Sequence, residues 1–110
     1  NNNTNIVKGI KVYIQICEAN PKELKSQCDV IKEQLKSGII VLVTNFKNKS
    51  TVVTSITKDL INKYNALILV REISTFLGGK GGGGRDDMAQ GGGLEIKKTD
   101  SLKQHILSLI

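Results

Sequence analysis

The chain has no tryptophan, and its aromatic residues are two tyrosines and two phenylalanines. Tyr13, Phe46, Tyr64 and Phe76 are too few and too scattered for the stacking platform that single-strand nucleic-acid binders use. Of the four, Tyr13 and Phe46 are the candidates for stacking on a single base. The one histidine, His105, stands far along the chain from Cys17 and Cys28 and from any carboxylate cluster, so the four-ligand spacing of a zinc site is missing. Two cysteines without a secretory segment imply reduced thiols, not a disulfide scaffold. No apolar run approaches the ~20 residues of a membrane span. No run is longer than that of Ile39 to Val43, which has the length of a strand, and no Arg/Ser-rich presequence is present. The expected compartment is the cytoplasm, with no membrane partner. No nucleophile stands near a base in sequence, so neither catalysis nor a cofactor is expected of this chain itself.

What is abundant is glycine, and nine of the eleven glycines fall between Gly78 and Gly93. A flexible spacer would be Gly/Ser throughout, whereas this run carries Lys80, Arg85, Asp86, Asp87, Met88 and Gln90 between two foldable segments. Glycines let backbone N–H groups converge on an anion, and Lys80 and Arg85 bring positive charge. The nucleoside-triphosphate loop is excluded because Gly79-Lys80 is followed by Gly81 and not by Ser or Thr. The dinucleotide fingerprint Gly79-x-Gly81-x-x-Gly84 is met by arithmetic alone, and it follows a helix instead of a strand. Sixteen Lys and Arg against ten Asp and Glu give a net charge of +6 and a pI near 9.5. Such a surface favours a phosphate-bearing partner. The candidate nucleic-acid-binding residues are Gly79, Lys80, Gly82, Gly83, Gly84, Arg85, Gln90, Gly91 and Gly92. Lys22, Lys25, Lys32 and Lys36 alternate with Glu23, Asp29 and Glu33 as on an ordinary solvated helix, and Asp87 is placed to orient Arg85 or to cap loop amides.

Periodicity predicts the elements around this run. A strand from near Ile6 through Ile16 alternates apolar and polar residues. Asn20, Pro21 and Glu23 open a helix carrying Leu24, Cys28, Ile31 and Leu35 on one face, which Gly38 ends. Ile39 to Val43 reads as a strand buried on both sides and parallel to the first, and Ser50 to Ile56 as its antiparallel neighbour. Thr57 to Lys63 reads as a helical turn, Asn65 as the cap of a second helix that delivers the chain into Gly78, and Asp100 as the start of a last helix. Arg85 to Gln90 reads as a strand, after which Gly91 to Gly93 turn the chain. The fold class is α/β (α+β): a single domain, a mixed β-sheet with helices packed against it, and an exposed glycine-rich loop. Residues 1–5 are expected as a frayed edge and 6–110 as the folded domain. With no start methionine, the chain reads as a piece of a larger protein.

The stretch Leu77-Gly78-Gly79-Lys80-Gly81-Gly82-Gly83-Gly84-Arg85, followed by Asp87-Met88-Ala89-Gln90-Gly91-Gly92, resembles the signature of the C-terminal domain of bacterial alanyl-tRNA synthetases, which is also found appended to DHH-type phosphoesterases. Leu35-Lys36-Ser37-Gly38 and Asn65-Ala66 fit the same pattern. The family usually has proline where this chain has Asp86. The resemblance implies a tRNA-binding domain working beside the other domains of a ligase that joins alanine to its tRNA with ATP and magnesium, and edits mischarged tRNA in a zinc-bearing domain. It leaves two alternatives: the substrate-binding domain of a phosphoesterase, and an assembly module that binds no nucleic acid.

Overall fold

The structure is a computed structural model and describes residues 3–110. Strands β1 (Thr4–Val7), β2 (Ile10–Cys17), β3 (Ile39–Phe46), β4 (Lys49–Ile56), β5 (Gly82–Gly84) and β6 (Met88–Leu94) form one sheet in the order β1-β2-β3-β4-β6-β5. Helices α1 (Leu24–Leu35), α2 (Ala66–Phe76) and α3 (Thr99–Ser108) pack against it. β2 and β3 are parallel, joined across α1, and every other pairing is antiparallel. The mixed sheet with helices is the expected fold class.

Alternation along β3 shows how the layers arise. Ile40 and Leu42 point toward α1, where they meet Tyr13, Leu24, Cys28 and Val53. Ile39, Val41 and Val43 point the other way and join Val12, Val52, Val70, Ile73, Leu102 and Ile106 beneath α2 and α3. A side chain of this size contributes roughly 1.5–3 kcal/mol when fully buried, so β3, covered on both faces, anchors the domain.

Several local expectations are corrected. The first strand is two: Lys8 and Gly9 both take positive φ and form a two-residue hairpin turn, the geometry that matches strand twist. Residues 3–5, expected as frayed, are therefore ordered. Thr4 and Asn5 lie in β1, and the Asn3 carbonyl accepts a hydrogen bond from the Ile14 amide at 2.9 Å. Asn1 and Asn2 lie outside the described residues. Asn20 caps a single 3₁₀ turn, Pro21–Glu23, that leads into α1. α1 is closed by Lys36 at φ +70°, and Gly38 serves another need: a Cβ there would sit 2.7 Å from the Lys11 carbonyl oxygen. Gly91 to Gly93 do not turn the chain but continue β6, and Gly82–Gly84 form the edge strand β5.

Cys28 is fully buried, and burial, with a smaller contribution from Asp29 against an opposing one from Lys32, pushes its thiol from 9.0 up to about 12. The folded state therefore holds the proton more tightly than the unfolded chain. The linked stability is complete below pH 9.0 and is lost as pH rises toward about 12. Denaturant titrations into the alkaline range should show wild type losing stability more steeply than Cys28→Ala, and a thiol reagent should label half-buried Cys17 before Cys28. Equal labelling rates in the native chain would contradict the assignment.

Candidate nucleic-acid interface

The glycine segment is a β-hairpin clamped along its length by α2. Asn65 caps α2, its side-chain oxygen accepting from the Ile68 amide at 3.0 Å. The first helical amide, Ala66, donates to the Asp86 carbonyl at 2.8 Å, so a donor with no partner inside the helix fixes the hairpin tip. At the other end the Leu94 amide donates to the Leu77 carbonyl at 2.8 Å, and between them the Gly92 amide donates to Ser74 Oγ at 3.1 Å. The helix closes with Gly78 at φ +80°, Gly78 N–H on the Thr75 carbonyl and Gly79 N–H on the Ser74 carbonyl. This six-to-one and five-to-two pairing is a Schellman cap, which calls for glycine at the left-handed position.

Most of these glycines serve the close approach of neighbouring backbone. A Cβ on Gly91 would run into Ser74 Oγ, one on Gly93 would lie 2.5 Å from the Leu77 carbonyl oxygen, and one on Gly92 would strike the Ser50 carbonyl oxygen. Gly79 meets the Gly92 carbonyl oxygen in the same way, Gly82 the Gln90 carbonyl oxygen, and Gly84 the Ala89 backbone. Gly83 alone among the candidate glycines faces open space, with nothing within 4 Å. The amides of Gly78, Gly79 and Gly92 are already bonded, and the carbonyl end of α2, partially negative, faces Gly78.

Arg85 stands at the hairpin tip, its amide closing the turn on the Met88 carbonyl at 2.7 Å. Its Nε lies 3.0 Å from Asp87 Oδ1, while 73% of the side chain remains exposed. The hydrogen bond from Arg85 lowers the Asp87 pKa below its ordinary 3.8, burial working against it and the Arg85 charge and, more weakly, Lys32 with it. Asp87 does orient Arg85, as the sequence predicts. Lys80 is exposed and precedes β5, so Lys80 and Arg85 stand on either side of that strand in the chain. Gln90 is exposed on the α1 side, opposite Val53 in the ladder. There it lines a shallow groove of about 360 Å³ with Pro21, Lys22, Lys25 and Thr51. These two lysines, and Lys32 near Asp87, read in the sequence as solvated helix residues. The packing of α1 over β3 and β4, together with the β4–β6 register, brings them to the hairpin, and no local spacing encodes either.

A six-stranded mixed sheet whose edge is a glycine hairpin gripped by a helix defines a domain type: the DHHA1 domain family profile matches residues 9–110, and the chain belongs to that family. More particularly, it is similar to the C-terminal part of alanine–tRNA ligases. That of Paramagnetospirillum magneticum is 48% identical over 104 residues, or 94% of this chain, and that of Granulibacter bethesdensis 42% over 101 residues, or 91%. The fold matches the crystal structure of the C-Ala domain from Aquifex aeolicus alanyl-tRNA synthetase with a TM-score of 0.85 and 27% identity over 96% of each chain. The chain spans about 12% of the length of the two ligases.

Two substitution series test this geometry by chemical denaturation. Gly92→Ala should cost roughly 1–3 kcal/mol, the range for overpacking. Gly83→Ala should be neutral or stabilise by up to about 1 kcal/mol through the unfolded chain, and equal costs would show that the backbones are not closely apposed. Asp86 has no positive φ, its carbonyl carries its bond to Ala66, and proline keeps that carbonyl. Asp86→Pro should therefore raise stability by about 0.4–1 kcal/mol. A loss would reveal a role for the Asp86 amide or side chain.

Proposed function

We propose that the chain is the tRNA-binding C-terminal domain of an alanine–tRNA ligase, and that RNA lies along the glycine hairpin. The carrying observation is Arg85, pinned by Asp87 yet 73% exposed at the tip. A guanidinium fixed before binding loses little entropy on meeting a phosphate, and its planar fork suits the two oxygens presented. Gln90 and Thr51, flanked by Lys22 and Lys25, offer amide and hydroxyl groups to sugar edges with charge on either side. Lys80 extends the basic track at the far end of β5, with Gly79, Gly82, Gly84, Gly91 and Gly92 supporting the hairpin and Gly83 leaving its face open.

On this reading the domain itself takes no cofactor and performs no chemistry. The parent ligase works in the cytoplasm, charges tRNA with alanine using ATP and magnesium, and edits mischarged tRNA in a zinc-bearing domain, while this domain holds the tRNA for both centres. Among the described residues no helix is long and apolar enough to cross a membrane. The similarity of the chain to alanine–tRNA ligases favours this over a phosphoesterase.

Binding should weaken steeply with salt, because counterion release supplies much of the free energy. At near-physiological salt, where charges are screened beyond about 8 Å, Arg85→Gln should cost roughly 1–3 kcal/mol in tRNA affinity, the range for charge-assisted hydrogen bonds. Lys8→Gln should cost far less, since β1 is at the opposite edge of the sheet, about 24 Å away by strand spacing. Equal losses in a tRNA titration would mean that the domain is merely a basic surface.

A further inference from the structure

We propose that the groove where β6 leaves the sheet and α3 begins docks an acidic amphipathic helix of a protein partner. The groove is open, holds about 610 Å³, and is floored by Phe76, Leu94, Ile96 and Leu102, with Lys97 and Lys98 on its rim. Phe76 and Leu94, 46% and 66% exposed, are two of the five large apolar side chains that the described surface exposes, and both belong to this one groove. Scattered apolar residues on a surface are ordinary, whereas a pair joined over an apolar floor is the composition of a docking site.

Both side chains are held in place. The Phe76 ring stacks on His105, with centroids 4.1 Å apart and planes at 16°. Gly78 leaves the space that Leu94 fills, since a Cβ there would lie 2.9 Å from Leu94 Cδ1. Such preorganisation lowers the ordering cost of association.

Charge and position choose the occupant. Arg85–Asp87 is the one ion pair among the described residues, so Lys97 and Lys98 have no carboxylate within salt-bridge distance. Glu95 is the single acid on the rim. A helix with apolar residues at i, i+3 or i+4 and i+7, bordered by Asp or Glu, supplies both the missing hydrocarbon and the missing charge. RNA supplies the charge but no aliphatic stripe for a floor of Leu and Ile. The groove also lies at the Leu94 end of β6, about 20 Å of strand from the hairpin tip at the Met88 end.

The test is to pan a phage-displayed random peptide library against the whole 110-residue chain and to synthesise the enriched peptides with a fluorescent label. The expected peptides are acidic, carry the helical apolar spacing, become helical on binding and are not displaced by saturating tRNA. Leu94→Asp and the paired Lys97→Glu and Lys98→Glu change should each weaken binding by about tenfold or more, the scale of losing a central contact. Lys8→Gln should leave it unchanged. Because Leu94, Lys97 and Lys98 are exposed, circular dichroism and melting curves should report folded variants. The proposal is overturned if no peptide enriches, if the enriched peptides lack acidic residues, if the groove variants bind as wild type does, or if tRNA displaces the peptide.

Discussion

The domain depends on how closely α2 lies over β6. A helix with ordinary side chains beneath it would be held off the sheet, but here Ser74 and Leu77 reach the β6 backbone itself, one through its hydroxyl and the other through its carbonyl. That contact is possible only if the strand below has no Cβ atoms at positions 91 and 93, while at Gly92 a Cβ would strike the Ser50 carbonyl oxygen of the neighbouring strand β4. Gly79 and Gly82 follow, because the return chain must lie equally close to β6. Glycine in a strand is unfavourable by entropy and leaves no side chain to pack. The hydrogen bonds from α2 to both ends and the middle of the hairpin offset this, and they hold rigidly what would otherwise be a slack edge.

This placement explains how an edge strand of three glycines is tolerated. Exposed edges invite pairing with other chains and are commonly blunted by short length or by charge. β5 has only three residues and is followed at once by Arg85, Asp86 and Asp87. Protection of the edge and presentation of the exposed Arg85 cation use one turn.

The sequence makes the central layers legible because their signals are local. Ile39 to Val43 is apolar at successive positions, as a strand covered on both faces must be, and Asn65 caps α2 as its position indicates. The Lys8-Gly9 turn was not apparent because lysine rarely takes positive φ, and the turn is stabilised by pairing between strands, not by Lys8 itself. The glycine motif is legible as a structural feature and misleading as to its geometry. Glycine signals both loops and close backbone approach, and only the position of α2 decides between them. Thr51 comes to the hairpin through the register of strands distant in sequence, and Lys22 and Lys25 through the packing of α1 on the sheet, tertiary facts with no local trace.

One consequence of the hairpin geometry concerns the choice of arginine at position 85. Its Nε is engaged by Asp87, and the terminal nitrogens of the guanidinium still carry donors for a ligand. Lysine has a single ammonium nitrogen, so the bond that oriented it would also occupy the group meant to bind. Arginine separates the two jobs along one planar group: the inner nitrogen fixes the direction and the outer ones remain available. Lys80 has no ion-pair partner among the described residues and presents a single point charge. The hairpin therefore carries one directed cation and one diffuse one, which fits a surface that holds an RNA backbone at one defined point and attracts it over the rest.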